Sequence, residues 1–145
     1  MAVTISLYNT TARKFADGTF TAAVTYKVNL YSTLTFDATA TTKTAAESGA
    51  TQLSTANGYT QNSKSLANVA ISTVTTNDAM FDADDVTWTA SGGSIAGAKA
   101  LVYADSLTNK DPVAYIDFGG TQTATDGTDF KIVWSSSSIV SFTVA

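Results

Sequence analysis

The sequence contains no histidine and no cysteine, a single proline, and little charge: Asp, Glu, Lys and Arg make up 14% of its 145 residues, against about a quarter in ordinary soluble proteins. Without histidine, Ser-His-Asp triads, Cys-His pairs, zinc hydrolase sites and imidazole acid–base catalysis are all excluded. Without cysteine there are neither disulfides nor thiolate metal sites, and the redox compartment is left undetermined. The chemistry that survives is a carboxylate pair, a Lys nucleophile, or calcium held by oxygen ligands. No apolar run approaches the roughly 18 residues of a membrane span, and no charged segment leads into a shorter one, so neither a membrane partner nor a signal peptide is expected. The net charge is −4 and no basic run is longer than Arg13–Lys14. Nucleic acid is therefore not an expected partner, because its binding needs a clustered positive field.

Thr, Ala and Ser take the place of the missing charge. A surface of hydroxyls and methyls suits a domain packed against neighbours, where each buried charge would need a partner. The length suits one domain around a single core. Eleven of the twelve acids are Asp, and Glu47 is the sole Glu. Asp shapes turns and caps helices, so many of these carboxylates are expected to serve the backbone.

The hydrophobic period is two almost everywhere. Residues 23–31 alternate Val24, Tyr26, Val28 and Leu30 against Thr25, Lys27 and Asn29, which predicts a half-buried strand. Residues 66–74 read the same way through Ala67, Val69, Ile71 and Thr73. The run 98–104 is apolar on both faces and predicts a central strand, with further strands at 113–118, 129–134 and 139–144. Pro112 stands before its strand, where it removes no ladder donor. Turn signals fall at 16–18, 57–58, 91–93, 118–120 and 125–127, and the four serines 135–138 are short enough for a hairpin between the last two strands. Leu7, Tyr8, Ala12 and Phe15 sit at helical intervals and predict a helical turn or two. The polar stretch 42–58 reads as a long loop with a helical turn near Ala45 to Glu47. Short strands at this spacing predict an antiparallel sandwich or a small barrel rather than βαβ units.

The densest chemical candidate is "MFDADDVTW" (80–88), with Asp82, Asp84 and Asp85 between Phe81 and Trp88. As a calcium loop it fails: counting from Asp82, Val86, Thr87 and Gly93 stand where an EF-hand needs an acid or amide, a glycine and a closing acid. A looser calcium site would draw Asp82, Asp84 or Asp85 together with Asp126 and Asp129. The favoured reading is a turn in which an Asp side chain accepts backbone N–H groups and the chain delivers Trp88 to the core. Asp117, between Ile116 and Phe118, is the best lone candidate for glycosidase chemistry, but it has no nameable partner and reads as an outward-facing strand residue. Trp88 and Trp134 fit the core, whereas Tyr31, Tyr59 and Tyr103 are candidates for an outward, sugar-stacking surface. Asn9-Thr10-Thr11 matches the glycosylation pattern without a secretion signal to give it meaning.

Several stretches, "LYNTTARKFADGTF", "VTYKVNLY", "ANGYTQNSKSLANVAIS", "FDADDVTWTASGGSI", "ALVYAD" and "PVAYIDFGG", resemble in that order a family of small tailed-bacteriophage structural proteins. The resemblance covers nearly the whole chain, most firmly 57–120, and departs at 37–56. It implies a virion component without a catalytic residue or cofactor. The combined expectation is an all-β, antiparallel sandwich of about eight strands, jelly-roll-like. It forms one domain over 1–145, with 1–22 as an N-terminal arm and 37–60 as a long loop. Such a chain would be made in the bacterial host cytoplasm and sit on the capsid surface as a decoration or cement subunit. Its partners would be the major capsid protein and copies of itself, as a trimer. The interface candidates are Arg13, Phe15, Tyr31, Tyr59 and Tyr103. A tail or neck component, or a receptor- or carbohydrate-binding module of a fibre, are the rival expectations.

Overall fold

The computed structural model describes residues 3–73, 79–135 and 138–142. The first half of the chain runs β1 (Thr4–Leu7), α1 (Thr11–Ala16), β2 (Tyr26–Thr33), α2 (Lys43–Ala46), β3 (Thr51–Gln52) and β4 (Ala70–Thr73). The second runs β5 (Ala79–Asp82), β6 (Val86–Thr89), β7 (Ile95–Ala104), β8 (Pro112–Ala124), β9 (Asp129–Ile132) and β10 (Val140–Phe142). All pairings are antiparallel and give three sheets, in the orders β1-β8-β7-β2-β3, β10-β5-β4 and β6-β9.

The all-β, antiparallel, sandwich-like class expected from the sequence is the class observed. Where about eight strands were expected, ten lie among the described residues, as one five-stranded sheet faced by two small ones.

The large sheet is buried on both sides, which explains why 98–104 shows no alternation. On one side Val28, Leu30, Ala100, Val102, Ala114 and Ile116 pack with Phe81, Val86, Trp88, Phe130 and Ile132 of the small sheets. On the other, Tyr31, Leu101, Tyr103 and Tyr115 are covered by Tyr8, Leu34, Ala40 and Ala46. Each large aliphatic side chain buried this way contributes about 1.5–3 kcal/mol. The stretch expected as a long loop is therefore the lid of a second core. Thr42 caps α2 by accepting the Ala45 N–H, which places the helical turn where the sequence put it.

Residues 3–22 do not extend as an arm. β1 pairs with β8, from Thr4 opposite Asp117 to Leu7 opposite Ala114, and Phe20 is 1% exposed in the main core. The alternation of Val3, Ile5 and Leu7, hidden beside the helical signal that follows, is what makes β1 a strand.

Three local readings also change. Asn68 adopts φ 51° and interrupts the run 66–74, so β4 begins only at Ala70. The glycines 119 and 120 turn no corner: β8 runs through them, and the register jumps from Lys99 opposite Asp117 to Gly97 opposite Gln122, a bulge that bends the long β7–β8 pair. The last two strands form no hairpin, because β9 pairs with β6 and β10 with β5. Ser136 and Ser137 of the serine run, and residues 74 and 143–144 of the expected strands, lie outside the described residues.

Candidate functional site

The acidic corner joins β5 to β6 and so carries the chain from one small sheet to the other. Its carboxylates grip the chain itself. Asp84 accepts from Asn68 Nδ2 at 2.7 Å, and its backbone carbonyl accepts the Trp134 indole N–H at 2.9 Å. Asp85 accepts the Trp134 backbone N–H at 3.0 Å and pairs with Lys131 at 3.1 Å. These two partners, Lys131 first, hold the Asp85 carboxyl below the usual carboxylate range. The corner borders an open depression of about 660 Å³ that also includes Thr87, Val133 and Ser135.

The looser calcium set does not assemble. Asp126 accepts from Gly92 N and Asp129 from Thr89 Oγ1, at the end of β6 remote from Asp85. Among the described residues no three acids converge on a metal-sized space. The corner leads into β6, where Trp88 is buried at 2% exposure as expected, and it also clamps Trp134, to which the sequence did not point.

Asp117 faces Lys99 across the β7–β8 pair at 2.6 Å and accepts the Gly119 N–H at 2.8 Å. Lys99 first and that N–H second lower its pKa. A glycosidase acid needs the opposite shift.

Three of the five interface candidates are placed inside. Tyr31 and Tyr103 are 0% exposed and Tyr59 is 2% exposed, so none can stack on a ligand in this fold. Tyr31 and Tyr103 lie on the second face of the sheet, and the lid over 34–50 turns that face into core. Their hydroxyls explain the polar residues around them. Tyr59 accepts the Leu30 N–H at 3.0 Å and a Gln52 amide hydrogen at 3.2 Å. Tyr31 donates to Glu47 at 2.5 Å, and Glu47 takes Lys43 at 2.6 Å. Asn29 and Asn62 exchange two hydrogen bonds, Nδ2 to Oδ1 at 2.7 Å and N–H to Oδ1 at 3.2 Å. Lys43 Nζ stands 5.0 Å from the centre of the Tyr103 ring. Burial first, with Glu47 adding to it, raises the Tyr31 pKa, and burial raises those of Tyr59 and Tyr103. These phenols are hydrogen-bonding struts at neutral pH. Sequence reading passed over Lys43, Asn29 and Asn62; the one signal available was that Glu47 is the chain's sole Glu.

Arg13 and Phe15 stay near the surface. Arg13 is exposed on α1. Phe15 is half-buried, with ring centroids 5.2 Å from Phe20, 5.3 Å from Phe81 and 5.4 Å from Phe142. It lines an apolar groove of about 360 Å³ with Ala12, Ala16, Ile71, Met80 and Phe142. Ile5 of β1 and Val3 just before it are 42% and 60% exposed. Against protein-family models, curated proteins and solved structures, the chain matches none.

Proposed function

We propose that this chain is a non-catalytic structural subunit of a tailed-bacteriophage particle, acting as a decoration or cement protein on the capsid. The observation that carries the reading is where its few charges go. Six of the seven lysines sit in ion pairs within the chain, to Asp85, Asp105, Asp111, Asp117 or Glu47. The seventh, Lys64, donates to the Thr87 carbonyl at 2.6 Å and lies over the Trp88 ring. With the lysines engaged within the chain, few cations are left to desolvate where subunits meet, which suits repeated contact between copies. Its mechanism is binding: each copy bridges neighbouring shell subunits and raises the free energy of shell disruption by mass action. The segment resemblance, strongest over 57–120, points to the same class.

Cryo-electron microscopy of purified particles tests this. Hundreds of copies on the head are expected. A few copies at a neck or tail would move the protein to that station, and absence from particles would overturn the reading. The fibre-module alternative loses its named side chains, because Tyr31, Tyr59 and Tyr103 are in the core.

A further inference from the structure

We infer that two copies of this chain associate through antiparallel pairing of their β1 strands, joining two five-stranded sheets into one. The inference deepens the proposed function by naming the surface through which copies meet. β1 is an outer strand of the large sheet, paired on one side with β8, and among the described residues no strand covers its other side. An uncovered edge is a template for another strand unless charge, proline or a bulge blunts it. The stretch Val3–Leu7 has none of these: it reads Val, Thr, Ile, Ser, Leu, and its register with β8 is unbroken.

The occupant follows from self-complementarity. Ile5 lies opposite Ile116 and Leu7 opposite Ala114, both in the main core, so Val3, Ile5 and Leu7 share that face. Directly opposed residues of an antiparallel pair project to the same side. A two-fold centred on Ile5 therefore sets Ile5 against the partner's Ile5, Val3 against its Leu7 and Thr4 against its Ser6. Beside Val3 lies a cleft of about 370 Å³ of mixed lining, with Phe118, Ala124 and Phe130 next to Gln122, Asp129 and Lys131. Both chains carry −4, yet the strands that meet are uncharged, so approach along β1 avoids like-charge contact. A two-fold contact of this kind closes at two copies, whereas the trimer expected from the sequence would need a heterologous surface.

Sedimentation velocity of the full chain across a concentration series tests the pairing, with a species of twice the 15.0 kDa chain expected. Ile5→Lys places a lysine on the edge in both copies and should weaken the dimer by at least about tenfold, since one substitution counts twice. Ile71→Lys, at the other exposed isoleucine, should leave it unchanged. Because the chain has no cysteine, Ile5→Cys gives a clean second readout: mild oxidation should link it into a covalent dimer, and Ile71→Cys should not be linked. A wild-type monomer or trimer, a dimer indifferent to Ile5→Lys, or equal crosslinking from both cysteine variants would each overturn the pairing. None of these results bears on particle location, which tests the proposed function separately.

Discussion

Lys14 on α1 and Asp111, next to Pro112 at the start of β8, form an ion pair with side chains only 13% and 7% exposed. With the Thr11 hydroxyl donating to the Val113 carbonyl at 2.9 Å, the pair fixes α1 against the large sheet. Breaking such a pair from one side leaves a buried charge alone, which costs about 3–5 kcal/mol. Asp111→Asn and Lys14→Met should each lose stability on that scale in urea unfolding. The double variant Lys14→Met with Asp111→Leu should lose less than either. Single losses in the range of a surface pair, about 0–1 kcal/mol, would show the pair to be solvated.

Gly58 and Gly127 make a controlled comparison. Both have positive φ, +87° and +80°, but a Cβ at Gly58 would lie 2.1 Å from the Thr89 carbonyl oxygen, while nothing lies within 4 Å at Gly127. Gly127→Ala should cost only the left-handed backbone penalty, about 1–2 kcal/mol. Gly58→Ala should cost clearly more, because backbone must move. Equal melting temperatures for the two variants would contradict the close approach of the 57–58 turn to the end of β6.

The two tryptophans differ in their indole nitrogens. Trp134 Nε1 donates to the Asp84 carbonyl, whereas Trp88 Nε1 has no acceptor among the described residues. Trp134→Phe should therefore forfeit a partly buried hydrogen bond worth about 0.5–1.5 kcal/mol beyond its packing loss. It should also loosen the 82–85 corner, read as faster amide exchange at Asp84. Trp88→Phe should leave exchange at the corner unchanged.

Stability should fall at both ends of the pH scale, for opposite reasons. Asp85 and Asp117 have lowered pKa values, so in the folded state they bind protons less readily than in the unfolded one. Their contribution is present above the ordinary carboxylate pKa, about 4, and is lost as pH falls through the folded values. Asp117→Asn should flatten the acid limb. Tyr31 and Tyr103 have raised values, so their contribution is intact below about pH 10 and lost as pH rises through the folded values. Phenolate absorbance from them should appear only together with loss of near-ultraviolet dichroism. Full ionisation in a still-folded chain would contradict their burial.

The strands with a plain period of two or a dense apolar run, β2, β7 and β8, were legible in the sequence, as were the turns at Gly18, Gly58 and Gly127. So was the reading of the 82–85 corner as one where an Asp side chain accepts a backbone N–H, as Asp85 does; its partner, Trp134, lies 49 residues away and left no local trace. The fate of Tyr31, Tyr59 and Tyr103 was not legible. Alternation says which residues share a face and is silent about whether another segment covers it. The lid that buries Tyr31 and Tyr103 is a polar stretch whose hold depends on contacts such as Tyr31–Glu47, 16 residues apart in sequence. The partners of β9 and β10 were missed for the same reason: strand pairing is non-local, and a short serine run carries no information against a hairpin.

The place of β1 has a consequence for how the molecule comes into being. Thr4 meets Asp117, and the Thr11 hydroxyl reaches Val113 across 102 residues of sequence. β1 leaves the ribosome before β8 does, so its seat does not exist until the chain up to β8 has followed. Contacts of such span are slow to close, because the loop entropy must be overcome before they form. The rim of the large sheet at β1 therefore closes late, only after β8 has been made.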